Sequence, residues 1–214
     1  MSQKSDGLLQ NKIDQLRIEI ARIADQEDLA FRCGFELNIN DSNSFLGFSL
    51  FNTHIMFEYP DLELIDKDSK SKLSVAFEAM VYYYMKTADG CPLVGKWISF
   101  GELPDGMFYN AAFQGYTGDK LSALIGNNVE NFIRTALQLN GVFLPFGDAS
   151  FKFQALPKVP LAIVFWNGDD EFPPSCKILF DASVTHYLPA DGCAILGSIL
   201  TNMIQKKLVA DMEE

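Results

Sequence analysis

VPLAIVFW, Val159 to Trp166, decides the fold class of this chain: eight residues carry no charge, and Val159, Ile163 and Val164 are β-branched. A run of that length and composition predicts a strand buried on both faces. Working outward, CKILFDA (Cys176 to Ala182) reads as its neighbour in a sheet, while SFKFQAL (Ser150 to Leu156) and FLPF (Phe143 to Phe146) supply apolar text on the other side. Towards the C-terminus a helix is predicted from near Asp191 to about Lys207, with the final ADMEE frayed. Upstream, Val129, Phe132, Ile133, Ala136 and Leu137 share one helical face behind Asn127-Asn128, and Asn140-Gly141 ends that helix with a left-handed cap signature.

The first third is written differently. FELNI, FLGFSLF, HIMFEY and LELI, spread over Phe35 to Ile65, are divided by NDSNS, Asn52-Thr53 and Pro60-Asp61, which predicts an antiparallel meander. Leu73, Phe77, Met80, Val81 and Tyr84 then repeat at helical spacing behind Asp68 and Ser69, either of which can cap, and Ala88-Asp89-Gly90 ends that helix after about Lys86. Ahead of the meander, Leu9, Ile13, Leu16, Ile20 and Ile23 form a narrow amphipathic seam on a helix ending before Gly34. It either lies on the chain's own core or zips against a second copy in a homodimer. Because helices and strands do not alternate regularly, the expected class is α+β, a mostly antiparallel sheet with packed helices. The expected division is an N-terminal helix, residues 1–31, and a single α+β domain, residues 32–214.

With 214 residues, 48% hydrophobic and 21% charged, including 18 Phe, the chain can remove about 70% of its extended surface from water. That composition is not a disordered one. The net charge of −11 and pI near 4.6 repel polyanions, so no nucleic-acid partner and no attachment to an anionic membrane are expected. No apolar run reaches spanning length and the start MSQKSDGLLQNKIDQL has no signal-peptide core, which predicts a cytoplasmic protein. Cys33, Cys91, Cys176 and Cys193 never form C-x-x-C and are expected to be reduced, small apolar residues, with no metal site encoded among them.

Candidate chemistry is sparse. His54 and His186 are the only imidazoles, and His186, just past the buried strand pair in FDASVTHYLP, has the stronger claim to a role. Asp181, five residues earlier, is the candidate orienter of that imidazole. Asp169, Asp170 and Glu171 lack calcium-loop spacing and read as either a cation site or a solvated turn. Ser175 and Ser183 lie near a histidine and an aspartate without any nucleophile motif, and neither a P-loop nor a dinucleotide fingerprint occurs. Trp97, Phe100, Phe108, Tyr109, Phe113, Tyr116 and Trp166 either line a pocket for a flat apolar ligand or are core, with residues 104–118 expected as a long aromatic loop.

The motifs Ala155-Leu156-Pro157, Val159-Pro160, Trp166, Gly168-Asp169, Glu171-Phe172-Pro173, Ser175, Leu179-Phe180-Asp181 and His186-Tyr187-Leu188, with the earlier WISFGELPDGMFY, carry a resemblance. Through them the chain resembles a family of uncharacterised bacterial and archaeal proteins, domain of unknown function 3786, over nearly everything after the first helix. The resemblance implies a setting in anaerobes, where some members are fused to iron–sulfur modules, and hence corrinoid or redox cofactor metabolism. This chain departs from the fused members in lacking a cluster-binding cysteine run, and it lacks the D-x-H-x-x-G motif of corrinoid carriers. The resulting expectation is a cofactor-binding or accessory protein that takes a corrinoid, haem or other tetrapyrrole between the 97–116 segment and the 166–188 strand ends. His186 is then the ligand, Asp181 its orienter, and Trp166, Tyr109 and Tyr187 the walls. The alternatives are a small-molecule enzyme using an Asp/His acid–base pair and a protein–protein interaction module.

Overall fold

Ile13, Leu16 and Ile20 of the first helix's seam lie on the chain's own core, while Ile23 is exposed, in a computed structural model that describes residues 2–40, 43–126 and 128–213. The expectations that fell on the Leu9 side chain, the Asp41-Ser42 turn and Asn127 lie outside what is described. Helix α1 (Ser2–Ile23) packs on α3 (Val75–Thr87) and buries Ile13, Leu16 and Ile20. The expected single helix is broken before Asp25, which caps α2 (Gln26–Cys33) by accepting the Asp28 N–H at 2.8 Å. A side-chain acceptor at that position satisfies an N–H the first turn leaves unpaired, so a second helix starts there.

The meander is present as β1 (Glu36–Asn40), β2 (Asn43–Leu50), β3 (Thr53–Tyr59) and β4 (Ile65–Asp66), antiparallel and in that order. Leu46, Phe48 and Leu50 alternate onto the buried face, opposite Phe57, Ile55 and Thr53 in register. Phe35 stacks on Phe48 at 4.6 Å and meets Phe57 edge-on at 5.7 Å. Each such buried side chain contributes about 1.5–3 kcal/mol. Helix α3 starts at Val75, later than Asp68 and Ser69 suggested, because the Asp66 carboxylate takes the N–H groups of both residues into a turn.

These elements, through Pro92, form one compact unit together with two short later segments, Leu156–Lys158 and His186–Leu188. The expected boundary at residue 31 is not where the structure divides, since α1 and α2 are built into this unit.

The second unit comprises residues 93–155, 159–185 and 189–214. Its sheet runs β5 (Trp97–Ser99), β9 (Ser175–Asp181), β8 (Val159–Trp166), β7 (Ala149–Leu156), β6 (Val142–Phe143), again antiparallel. Strand β8 is buried at every position except Trp166, as its composition requires. Helices α5 (Gly118–Ile125), α6 (Val129–Gln138) and α7 (Ala190–Glu213) complete the unit, α7 continuing through the residues expected to fray up to Glu213. Residues expected as a long loop form α4 (Gly106–Tyr116) instead. Its Phe113 stacks on Phe100 at 4.1 Å and packs near Phe180, so Phe100 and Phe113 are core and not pocket walls. Met107, Phe108 and Tyr109 are exposed on the same helix. The fold is therefore α+β, as expected.

Candidate functional site

His186 ends a 3₁₀ turn, Ala182–His186, and its imidazole is 46% exposed. The residue after it is the anchor. Tyr187 is fully buried, tilts against Tyr84 at 5.7 Å, and its hydroxyl donates to the Cys91 carbonyl. Tyr84 in turn donates to the Cys33 carbonyl at 2.6 Å and accepts the Lys158 N–H at 3.2 Å. An exposed ring is thus carried on a side-chain stack that is itself hydrogen-bonded.

The partner of that ring is Asp89. Its Oδ2 lies 2.7 Å from His186 Nδ1, across 97 residues of chain. The hydrogen bond from the imidazole, and then the Cys91 N–H donated to the carboxylate, hold Asp89 below the usual carboxylate range. An ionised carboxylate only accepts, so Nδ1 carries the hydrogen, and in the neutral ring that leaves the lone pair on Nε2.

Asp89 owes its position to the end of α3. Arg32, paired with Asp28 at 2.8 Å, donates to the Ala88 carbonyl at 2.5 Å and fixes the last residue before it. Gly90 then adopts φ +81°, which an L side chain resists, and a Cβ there would meet the Phe31 ring at 3.1 Å. The turn brings the Cys91 N–H back to Asp89 Oδ1 at 2.9 Å. As a result one carboxylate oxygen, the Cys91 sulfur and a His186 nitrogen all lie within 4.8 Å of one another.

Asp181 is not the orienter of His186. Its carboxylate is 2% exposed and accepts four hydrogen bonds within its own unit: Val94 N–H at 3.0 Å, Gly95 N–H at 2.7 Å, Ser183 N–H at 2.9 Å and Ser183 Oγ at 2.6 Å. Burial alone would raise its pKa, but those bonds to the charged form outweigh it and hold the group below the ordinary value. Proximity in sequence misled because the 3₁₀ turn follows immediately and the carboxylate faces the 94–95 loop. The Ser183 hydroxyl is spent on Asp181 and the His186 Nδ1 on Asp89, so no Ser-His-Asp relay forms.

Of the expected walls, Tyr187 is internal. Tyr109, 62% exposed on α4, and Trp166, 36% exposed at the end of β8, belong to the second unit. His54 pairs with Ser49 Oγ at 3.1 Å on the first sheet. The acidic run is a solvated turn: Asp169 Oδ1 accepts the N–H groups of Glu171 and Phe172 at 2.9 and 2.7 Å, which lower its pKa. Cys33, Cys176 and Cys193 are buried, whereas Cys91 is partly exposed.

The fold and the cluster define an α+β protein with a compact O/S/N donor set on its first unit. Residues 25–203 match the family model described as Domain of unknown function (DUF3786), and the chain belongs to that family. No curated protein and no solved structure matches it. Among the described residues, no helix is long and apolar enough to cross a membrane.

Proposed function

We propose that this is a cytoplasmic cofactor-binding or accessory protein in which His186 is the group that ligates the metal of a flat cofactor, a corrinoid or a haem. The observation that carries it is the 2.7 Å hydrogen bond from His186 Nδ1 to Asp89, made by a half-exposed ring. A metal-ligating imidazole characteristically donates its other ring N–H to a carboxylate, which fixes the tautomer and raises the basicity of the ligating nitrogen. His186 fits that role: Asp89 engages Nδ1, which leaves Nε2 for a metal, and the buried Tyr187 holds the backbone beneath it. The bound cofactor would supply the redox or group-carrier chemistry, and this chain would supply an oriented ligating nitrogen.

The test is absorption and native mass of the full chain, titrated separately with hydroxocobalamin and haemin, in the wild type and in His186→Ala. A band shift with a matching mass increase, lost in His186→Ala, is the expected result. Binding of neither compound, or binding unchanged by the substitution, refutes it.

A further inference from the structure

Cys91 has no part in axial ligation by His186, yet its sulfur completes a third donor beside Asp89 and the imidazole. We propose that Asp89, Cys91 and His186 together bind a bare divalent cation of the zinc class, leaving a fourth coordination position open. The inference rests on the reading of His186 as a metal ligand but uses the other ring nitrogen, Nδ1, and turns Asp89 from the orienter of the ring into a ligand.

The donor chemistry selects the ion. A carboxylate oxygen, an imidazole nitrogen and a thiolate suit zinc or cobalt(II), whereas magnesium and calcium want oxygens throughout. Three protein ligands with a vacant fourth position are the arrangement of zinc sites that hold a water or an exchangeable ligand. Ligand bonds of zinc place neighbouring donors about 3.4–3.6 Å apart at a tetrahedral angle. Asp89 Oδ2 and His186 Nδ1 are 2.7 Å apart and part to admit an ion, while the Cys91 sulfur, which lies with one carboxylate oxygen and one imidazole nitrogen inside a 4.8 Å cluster, gives up its 3.5 Å contact with the Pro92 carbonyl.

Two segments bring the donors together, and both are tied down. The Asp89-Gly90-Cys91 turn is held by the Cys91 N–H on Asp89 Oδ1, and the His186 segment is held to it by the Tyr187 hydroxyl on the Cys91 carbonyl. The cluster lies within one compact unit. All three residues reach solvent, so an ion has access, and the chain's net charge of −11 favours cations at its surface.

Binding is balanced in protons. The Cys91 thiol releases its hydrogen to solvent on becoming thiolate, and the hydrogen shared between His186 Nδ1 and Asp89 leaves as the metal enters, the ring regaining one at Nε2.

The experiment is a titration of the reduced, chelator-treated full chain with cobalt(II). The expected result is one equivalent bound, with visible bands of tetrahedral intensity and a near-ultraviolet thiolate-to-cobalt charge-transfer band, displaced by zinc. Cys91→Ser, close in shape, keeps the fold by circular dichroism and loses the charge-transfer band, while Asp89→Asn weakens binding at least about tenfold. Absence of cobalt binding, or a charge-transfer band that survives Cys91→Ser, overturns the inference. If cobalt fails but haemin or hydroxocobalamin still binds through His186, the bare-ion site falls and the axial reading stands. If all three fail, both fall.

Discussion

Replacing Asp181 by Ala separates a structural carboxylate from a working one. The side chain accepts four hydrogen bonds, and their loss is not uniform in cost. Ser183 is buried, so its stranded N–H and hydroxyl cost about 1–3 kcal/mol, while the N–H groups of exposed Val94 and Gly95 recover water and cost roughly 0.5–1 kcal/mol each. The expected loss at pH 7 is about 3 kcal/mol. Urea unfolding followed by tryptophan fluorescence reads it directly, since the chain has 2 Trp, Trp97 and Trp166, both in the second unit, and Trp97 is the register partner of Asp181.

The pH dependence carries the sign. Asp181 has a lowered pKa in the folded state, so its stabilisation is complete above the unfolded value of about 3.9 and is lost as pH falls through the folded one. The gap between wild type and Asp181→Ala should be widest near neutrality and narrow below about pH 4. A loss under about 1 kcal/mol at pH 7, or a gap that stays constant into acid, refutes the hydrogen-bond account.

Tyr84→Phe should cost about 2–4 kcal/mol in the same denaturation read by circular dichroism, because it strands the Cys33 carbonyl and the Lys158 N–H; an unchanged midpoint would contradict that. Gly106→Ala drives a Cβ onto the Phe100 carbonyl at the start of α4 and should destabilise by roughly 1–3 kcal/mol, checked by urea midpoint. Burial pushes the Cys33 and Cys193 thiols up to about 12, and raises Cys176 as well. Ellman's reagent at pH 8 should therefore titrate one thiol quickly in the native protein, Cys91, and all 4 cysteines in denaturant.

Where chemistry is local, the chain text was legible. VPLAIVFW is the buried strand its composition demanded, and among the described residues the meander turns at Asn52 and at Pro60-Asp61, where turn residues stand. Helix α4 escaped because its apolar residues do not mark a buried face: Phe113 points inward while Met107, Phe108 and Tyr109 point out, and the glycines at 106 and 115 suggested a loop. At the candidate site His186 was singled out, but its partner was not. Asp89 stood in a helix terminator 97 residues away, and Asp89-Gly90-Cys91 read as a turn with a small apolar cysteine. The D-x-C spacing across a glycine was the one local signal of two donors on a tight turn; nothing local ties it to His186.

The membership of Leu156–Lys158 and His186–Leu188 in the first unit has a consequence for synthesis. Once Pro92 has been made, a further 94 residues must be polymerised before Tyr187 exists to meet Tyr84 and Cys91. At about 5–20 residues per second that is on the order of 5–20 s. For that interval a nascent chain carries most of the first unit without its last aromatic, and the Cys91 turn without its tether. The donor cluster is thus among the last features of the molecule to come into being, and a chain interrupted anywhere between Cys91 and His186 carries the carboxylate and the thiol but never the imidazole.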